Sequence, residues 1–404
     1  MAGQNGTNVL DYNSPLIRKE WVKQNLAKLR NVSFWSKYTG KNTDSIVYQK
    51  NKSNASGGHT VVFDFDGELT GKQYRRNDYS YGKGETKRKF SSVLTVDEFS
   101  LYVDNGTKFD AHNCDNLASA EHSDSIAKLG RLFHRHKDQA LFDVAQGAIA
   151  GNNITHIFDL GNDFTFNDCI DLETAAKKGS GLVRGEQNGM IPSTTPAVKR
   201  SPLKAYRPGK DANEDVFLCL LDTYSATKLK KDPNYQTLVA TADARSRKNA
   251  VLSGVIGQLG QIVFIEAPIF FGQTNAGAGQ FTFYDTEIQY AGLRRYAVDD
   301  ATNNVYWEGT ADFDRIEASV ISGTPQGAIY SRNILIGAGA LQSAFGKQPN
   351  YELEWGPFKK SSQSMLEYWA WFQKTVLTVE NGKDYAGKIA DIDYSTIAVD
   401  LKLN

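Results

Sequence analysis

HTVVFDFDGELTGKQYRRNDYSYGKGETKRKFSSVLTVDEFSLYV, residues 59–103, decides how the rest of this chain is read. Val61, Phe63 and Phe65 alternate with Val62, Asp64 and Asp66, the two-residue period of a strand. Val93 to Val103 reads as the partner strand. The stretch between them is too polar to bury and far longer than a tight turn. It holds Lys72, Arg75, Arg76, Lys83, Lys87, Arg88 and Lys89 against Asp78 and Glu85. The spacing predicts a long two-stranded flap standing off the body. An isolated hairpin is marginal in water, so such a flap needs a surface to lie on, and another subunit is the natural candidate. Two other readings stand beside it. One is a charged, soluble hairpin whose edge charges discourage stray pairing. The other is a nucleic-acid grip, with Tyr74, Tyr79 and Tyr81 among the cations.

Working outward, residues 1–13 are polar, and Ser14-Pro15 has the form of a helix start, serine capping and proline at the first helical position. Trp21, Val22, Leu26 and Leu29 follow at helical spacing, giving an N-terminal arm able to reach a neighbour. After the flap, residues 115–150 read as one long helix. Ile126, Leu129, Phe133, Ala140 and Val144 make its apolar stripe, widened by Leu132, Leu141 and Ala148. Such a spine reaches roughly 50 Å at the usual rise per residue. Arg131, Arg135, Lys137 and Asp138 lie among these positions. With them come His134 and His136, which sit i, i+2 and face different directions, so they predict a solvated or subunit-facing surface and not a metal site.

A second helix is expected near Asn167–Lys178, then a loose excursion over 179–215 with four of the ten prolines. Alternation returns with a strand at Val216–Leu221, a helix around Pro233–Arg247 and a strand at Ile262–Phe270. A hairpin over 280–310, an apolar segment at Arg332–Phe345 and an aromatic, strand-like tail complete the chain.

Composition excludes several classes. The 404 residues are 40% hydrophobic and 23% charged, as in globular proteins. The 46 basic and 46 acidic residues balance, without the basic excess of a nucleic-acid reader; mixed charge also suits a protein packed against copies of itself. Cys114, Cys169 and Cys219 have neither zinc nor disulfide spacing and are expected as reduced thiols. The start MAGQNGTNVL is unlike a signal peptide, and the apolar run from Gly254 to Gly272 is broken by Gln258, Gln261 and Glu266, so no membrane role is expected. GQTNAGAGQ (272–280) opens onto a strand and not a helix, and is expected as a loop without an anion site. No cofactor is implied.

The enzymatic temptation is VVFDFDGELT (61–70), which resembles the first motif of haloacid dehalogenase phosphatases. There Asp64 would attack phosphorus, Asp66 would handle the proton and magnesium would neutralise charge. Against it, Glu68 replaces the family threonine, and a basic stretch follows where a helix belongs. No later acidic motif completes the set; Asp299-Asp300 sits in a turn-like DDATNN.

The order of arm, flap, spine helix, mixed body and returning strands resembles the α+β Hong Kong 97-type capsid fold. More closely, the chain resembles the major capsid family of enquatrovirus-type short-tailed phages. The resemblance rests on NSPLIRKEWVKQNL, DGELTG, DQALFDVAQGAIAGN, SPLKAY, KNAVLSGVIGQLGQIVFIEAPIFF and RNILIGAGALQSAFGK, spread over residues 14–380. It implies an arm (1–58), an extended flap (59–104), a peripheral domain with the spine (105–215), an axial domain (216–331) and a return to the peripheral domain (332–404). It implies a virion shell protein, not an enzyme, assembled in the host bacterial cytoplasm. Hexamers and pentamers of this chain would enclose double-stranded DNA, with a portal and decoration proteins as further partners. The flap cations named above would be subunit contacts. Encapsulin-like nanocompartments share the fold and remain an alternative.

Overall fold

A computed structural model describes residues 33–51, 59–66, 73, 84, 89–107, 118–149, 154, 156–178, 203–207, 215–241, 255–274, 281–283, 291–355, 361–376, 378–379 and 394–404. After a 3-10 turn at Trp35–Lys37 come β1 (Thr39–Gly40), β2 (Val47–Asn51), β3 (Thr60–Asp66), β4 (Lys89–Thr95), β5 (Asp97–Thr107) and helix α1 (Ala118–Gln146). The middle holds β6 (Ile157–Asp159), α2 (Phe166–Lys178), β7 (Phe217–Leu221), α3 (Thr223–Lys231), α4 (Pro233–Thr241), β8 (Val255–Leu259) and β9 (Ile262–Glu266). Then follow β10 (Gly272–Thr274), β11 (Phe281–Phe283), β12 (Arg295–Asp299), β13 (Val305–Trp307) and α5 (Ala311–Ile321). The last strands are β14 (Gly327–Ile336), β15 (Leu341–Trp355), β16 (Ser361–Lys374), β17 (Thr378–Val379) and β18 (Thr396–Lys402).

β15 and β16 form a long antiparallel hairpin at the centre of a five-stranded sheet, β1-β2-β15-β16-β5. Leu366, Tyr368, Ala370 and Phe372 recur every second residue on β16, so one face of the hairpin is apolar. That face packs on Leu129, Phe133, Leu141 and Val144 of α1. The helix spans 29 residues, about 43 Å at the usual rise.

The second sheet runs β13-β12-β14-β7-β9-β8, with β18 paired to β14 and β6 to β18. β7 reads FLCLL and is buried at every position, because both faces are covered. Leu218 and Leu220 join the core under α1, while Phe217, Cys219 and Leu221 join the core against α2 and α3. The last strand, β18, enters this sheet and not the hairpin sheet. Between β14 and β15 the chain crosses from one sheet to the other through Gly339, whose φ of 70° favours glycine.

The helix expected around Pro233–Arg247 is α4, described to Thr241, and the sequence reading lacked α3 before it. Asp222 caps α3 by accepting the Ser225 N–H at 2.7 Å, which ends β7 and turns the chain. Within the expected 280–310 hairpin, β12 pairs with β13, whereas β11 returns to β10.

Candidate assembly surfaces

The flap strands pair as expected, from Thr60 opposite Thr95 to Asp66 opposite Lys89. Their base does not stand off the body. Val61, Phe63, Phe65 and Leu94 are buried on one face, against Ala344 and flanked by Trp369 and Trp371. Ser92 Oγ donates to Gln342 Oε1 at 2.9 Å, a buried bond between the two layers. Four apolar side chains on one face of a strand pair cannot remain wet when the hairpin sheet lies beneath them, so the flap base forms a second layer. The opposite face is left open: Val62 and Val93 lie side by side, 46% and 53% exposed.

The expected partner strand over 93–103 serves two sheets. Val96 is buried, and its N–H donates to the His59 carbonyl at 2.7 Å, closing the base of the flap. From Asp97 the chain pairs with β16 instead. The tip residues Lys72, Arg75, Arg76, Lys83, Lys87 and Arg88 lie outside the described residues; Lys89 begins β4.

The root of the arm is fixed to the spine. Ser33 Oγ and the Phe34 N–H both donate to the Asp138 carboxylate, the latter at 2.6 Å. Burial pushes the Asp138 carboxyl up to about 6, while these donors and Lys137 oppose the shift. The rings of Phe34 and Trp35 pack at a tilt against Phe142 of α1, 5.2 and 5.0 Å between centroids. Residues 1–32, with the expected arm helix, lie outside the described residues.

The expectation of a solvated or subunit-facing surface around His134 and His136 is corrected. His134 is only 7% exposed, Asp138 is buried and His136 is half-buried, because α1 is packed on more than one side. Burial, with Lys137 nearby, holds His134 down to about 4. Further along, Gln139 donates to the Gly292 carbonyl and accepts its N–H, at 3.2 and 2.9 Å. Gln146 does the same with Arg294, both at 2.9 Å, and adds a bond to the Arg332 carbonyl at 2.7 Å. Two glutamines thus satisfy the backbone of Gly292 and Arg294, on either side of the Leu293 bridge to Ile269. A side chain at Gly292 would fall 1.9 Å from the Pro268 carbonyl oxygen, so only glycine fits this crossing. These polar positions look like surface in the sequence, since their partners lie some 150 residues away.

Asp64 lies exposed on the outer face of β3, in a three-stranded antiparallel layer, β17-β4-β3. A phosphatase nucleophile needs a strand end opening onto a helix, and here Asp64 lies within a strand pair, opposite Ser91. Among the described residues no group of three or more histidines, cysteines or carboxylates could hold a metal ion. Cys169 and Cys219 are buried free thiols, held well above their usual range by burial; Cys114 lies outside the described residues. No described helix is long and apolar enough to cross a membrane.

The fold of this chain is similar to that of solved bacteriophage capsids. The capsid of Helicobacter pylori bacteriophage KHP30 matches with a TM-score of 0.66 at 14% identity, covering 92% of this chain and 91% of that one. The chain has a phage-capsid fold. The head of Helicobacter pylori bacteriophage KHP40 matches at 0.63 and 16% identity, covering 92% and 91%. The capsid of Ralstonia phage GP4 matches at 0.60 and 13%, covering 91% and 90%. No protein-family profile and no curated protein sequence matches the chain. The capsid fold is therefore shared through backbone architecture, at identities too low to carry individual residues.

Proposed function

We propose that this chain is the major capsid protein of a tailed bacteriophage and not an enzyme. One observation carries the reading: the capsid fold extends over nine-tenths of both chains in each comparison. In this reading the spine and five-stranded sheet form the peripheral domain, and the eight-stranded sheet forms the axial domain. Residues 1–32 and the flap tip are the reaching elements. Their contacts are heterologous, and closure by rotation turns such contacts into hexamers and pentamers, then an icosahedral shell. Each contact can be modest because many act together.

The shell would form in the host bacterial cytoplasm and enclose double-stranded DNA, with a portal and decoration proteins as further partners. The balanced charge fits contact with other copies better than sequence reading of DNA. Purified virions test this directly. The chain is expected as their most abundant protein, in particles holding nuclease-resistant DNA. Particles of this chain that hold protein cargo and no DNA would instead make it a nanocompartment shell.

A further inference from the structure

A cleft of about 480 Å3 lies between β2 from Tyr48 to Asn51, β3 from Thr60 to Val62, and Lys41. Among the described residues β3 is the last strand of its layer and pairs with β4 alone. Its odd positions turn toward β4: the His59 carbonyl accepts the Val96 N–H. The Val62 carbonyl instead accepts the Lys50 ammonium at 2.8 Å, so it points away from β4. The two directions alternate along an antiparallel ladder, so the backbone groups of Thr60 and Asp64 point outward with it. β2 presents a second open edge to the same cleft. Its Val47 N–H turns to the Tyr38 carbonyl, and β1 pairs with β2 only at Val47 and Tyr48. Gln49 and Asn51 stand on that side beyond the end of β1. Two strand edges with unspent backbone groups therefore meet one cleft, and each such group needs a partner or water.

We propose that this cleft is a docking site for an extended acidic segment of a second protein, added as a strand along β3. Such a site does not require the shell reading, because the cleft belongs to the single subunit. Charge complementarity argues for that occupant. Among the described residues the lining carries two ammonium groups, Lys41 and Lys50, and no carboxylate. Lys50 lies over the Tyr48 and Phe63 rings, 5.5 and 5.1 Å from their centroids, on the inner side of the edge.

An added strand presents alternate side chains to the two sides of the layer. Inward ones meet Lys50, where a carboxylate makes a stronger, charge-assisted bond than the Val62 carbonyl does. Outward ones lie beside Val62, 46% exposed, which suits a β-branched side chain. The strand's own N–H takes the place of Lys50 at the Val62 carbonyl. Until then Lys50 guards the edge against stray pairing. A second copy pairing edge to edge would bring two Lys50 ammonium groups together, which like charge opposes.

The test uses the unassembled full-length chain and a labelled peptide of about seven residues alternating valine and glutamate, long enough to span Thr60–Asp64. Fluorescence anisotropy should show binding, weakened at least about tenfold by Lys50→Glu. A peptide alternating valine and lysine should bind at least about tenfold more weakly. Hydrogen exchange read residue by residue should place the peptide. The Thr60 and Val62 amides should slow about tenfold or more on binding, with Val61 and Phe63 unchanged. Where melting shows that Lys50→Glu misfolds, Lys41→Glu on the exposed rim takes its place, with the same direction of change. No binding, equal binding of the two peptides, or binding without protection of Thr60 and Val62 would overturn the inference. Protection of those amides that rises with chain concentration in the absence of peptide would overturn it too, assigning the edge to a second copy. Particle formation is not read in any arm, so each of these failures leaves the shell reading standing.

Discussion

Arg294 and Asp143 form an ion pair at 3.1 Å with both side chains 2% exposed, tying the segment before β12 to the spine helix. The guanidinium also lies over the Phe270 ring, 4.2 Å from its centroid, and Asp143 accepts the Gln139 amide at 2.7 Å. The pair joins the helix of one sheet to the entry strand of the other, so it bears on how firmly the two halves hold together.

Removing one partner strands a buried charge. Asp143→Ala should therefore cost about 3–5 kcal/mol in urea unfolding of unassembled subunits. The double variant Asp143→Leu/Arg294→Met should cost less than either single change. A single variant as stable as wild type would show that the pair holds nothing.

His134 sets an acid limit. Its folded pKa, lowered to about 4 by burial, lies below that of the unfolded chain near 6.5. The unfolded chain then binds the proton more readily, so the stabilising effect is complete above about 6.5 and is lost as pH falls through 4. From pH 7 to pH 4 the His134 contribution to subunit stability should decline by up to about 3 kcal/mol, opposed by Asp138 and Asp143, whose carboxyls burial raises to about 6. His134→Leu should flatten the decline; an unchanged slope would assign it to other groups, His136 first among them.

The flap base is a layer, so it should behave as core. Phe63→Ala should destabilise by about 3–5 kcal/mol and expose the flap to protease. Val62→Ser, on the open face one residue away, should shift stability by no more than about 0.5 kcal/mol. Equal effects at the two positions would contradict the packing.

Asp138 anchors the arm. Asp138→Ala should leave Ser33 and Phe34 without their acceptor and cost about 1–3 kcal/mol. Amide exchange at Phe34 should accelerate, with the amides of β16 unaffected. Unchanged protection at Phe34 would remove Asp138 from that role.

How much of this was legible in the sequence depends on where each residue's partner lies. The period of two over Val61–Phe65 and the helical stripe from Ile126 to Val144 were readable, because an apolar face is a local signal. The 15-residue strand β15 was not, since Gly346, Lys347 and Pro349 interrupt its apolar pattern where the register shifts between Phe345 and Asn350. Gln139, Asp143 and Gln146 carry no signal in the sequence, because nothing near them announces a backbone segment 150 residues away. The flap base was misjudged for the same reason: its cover, Ala344 and Trp371, comes from the other end of the chain.

Sedimentation velocity of the purified full-length chain at high concentration, with negative-stain images of the same sample, tests the central claim most directly. Closed, uniform particles of many subunits are the result the account requires. A compact monomer that persists as concentration rises, with the flap tip folded onto its own subunit, would contradict it.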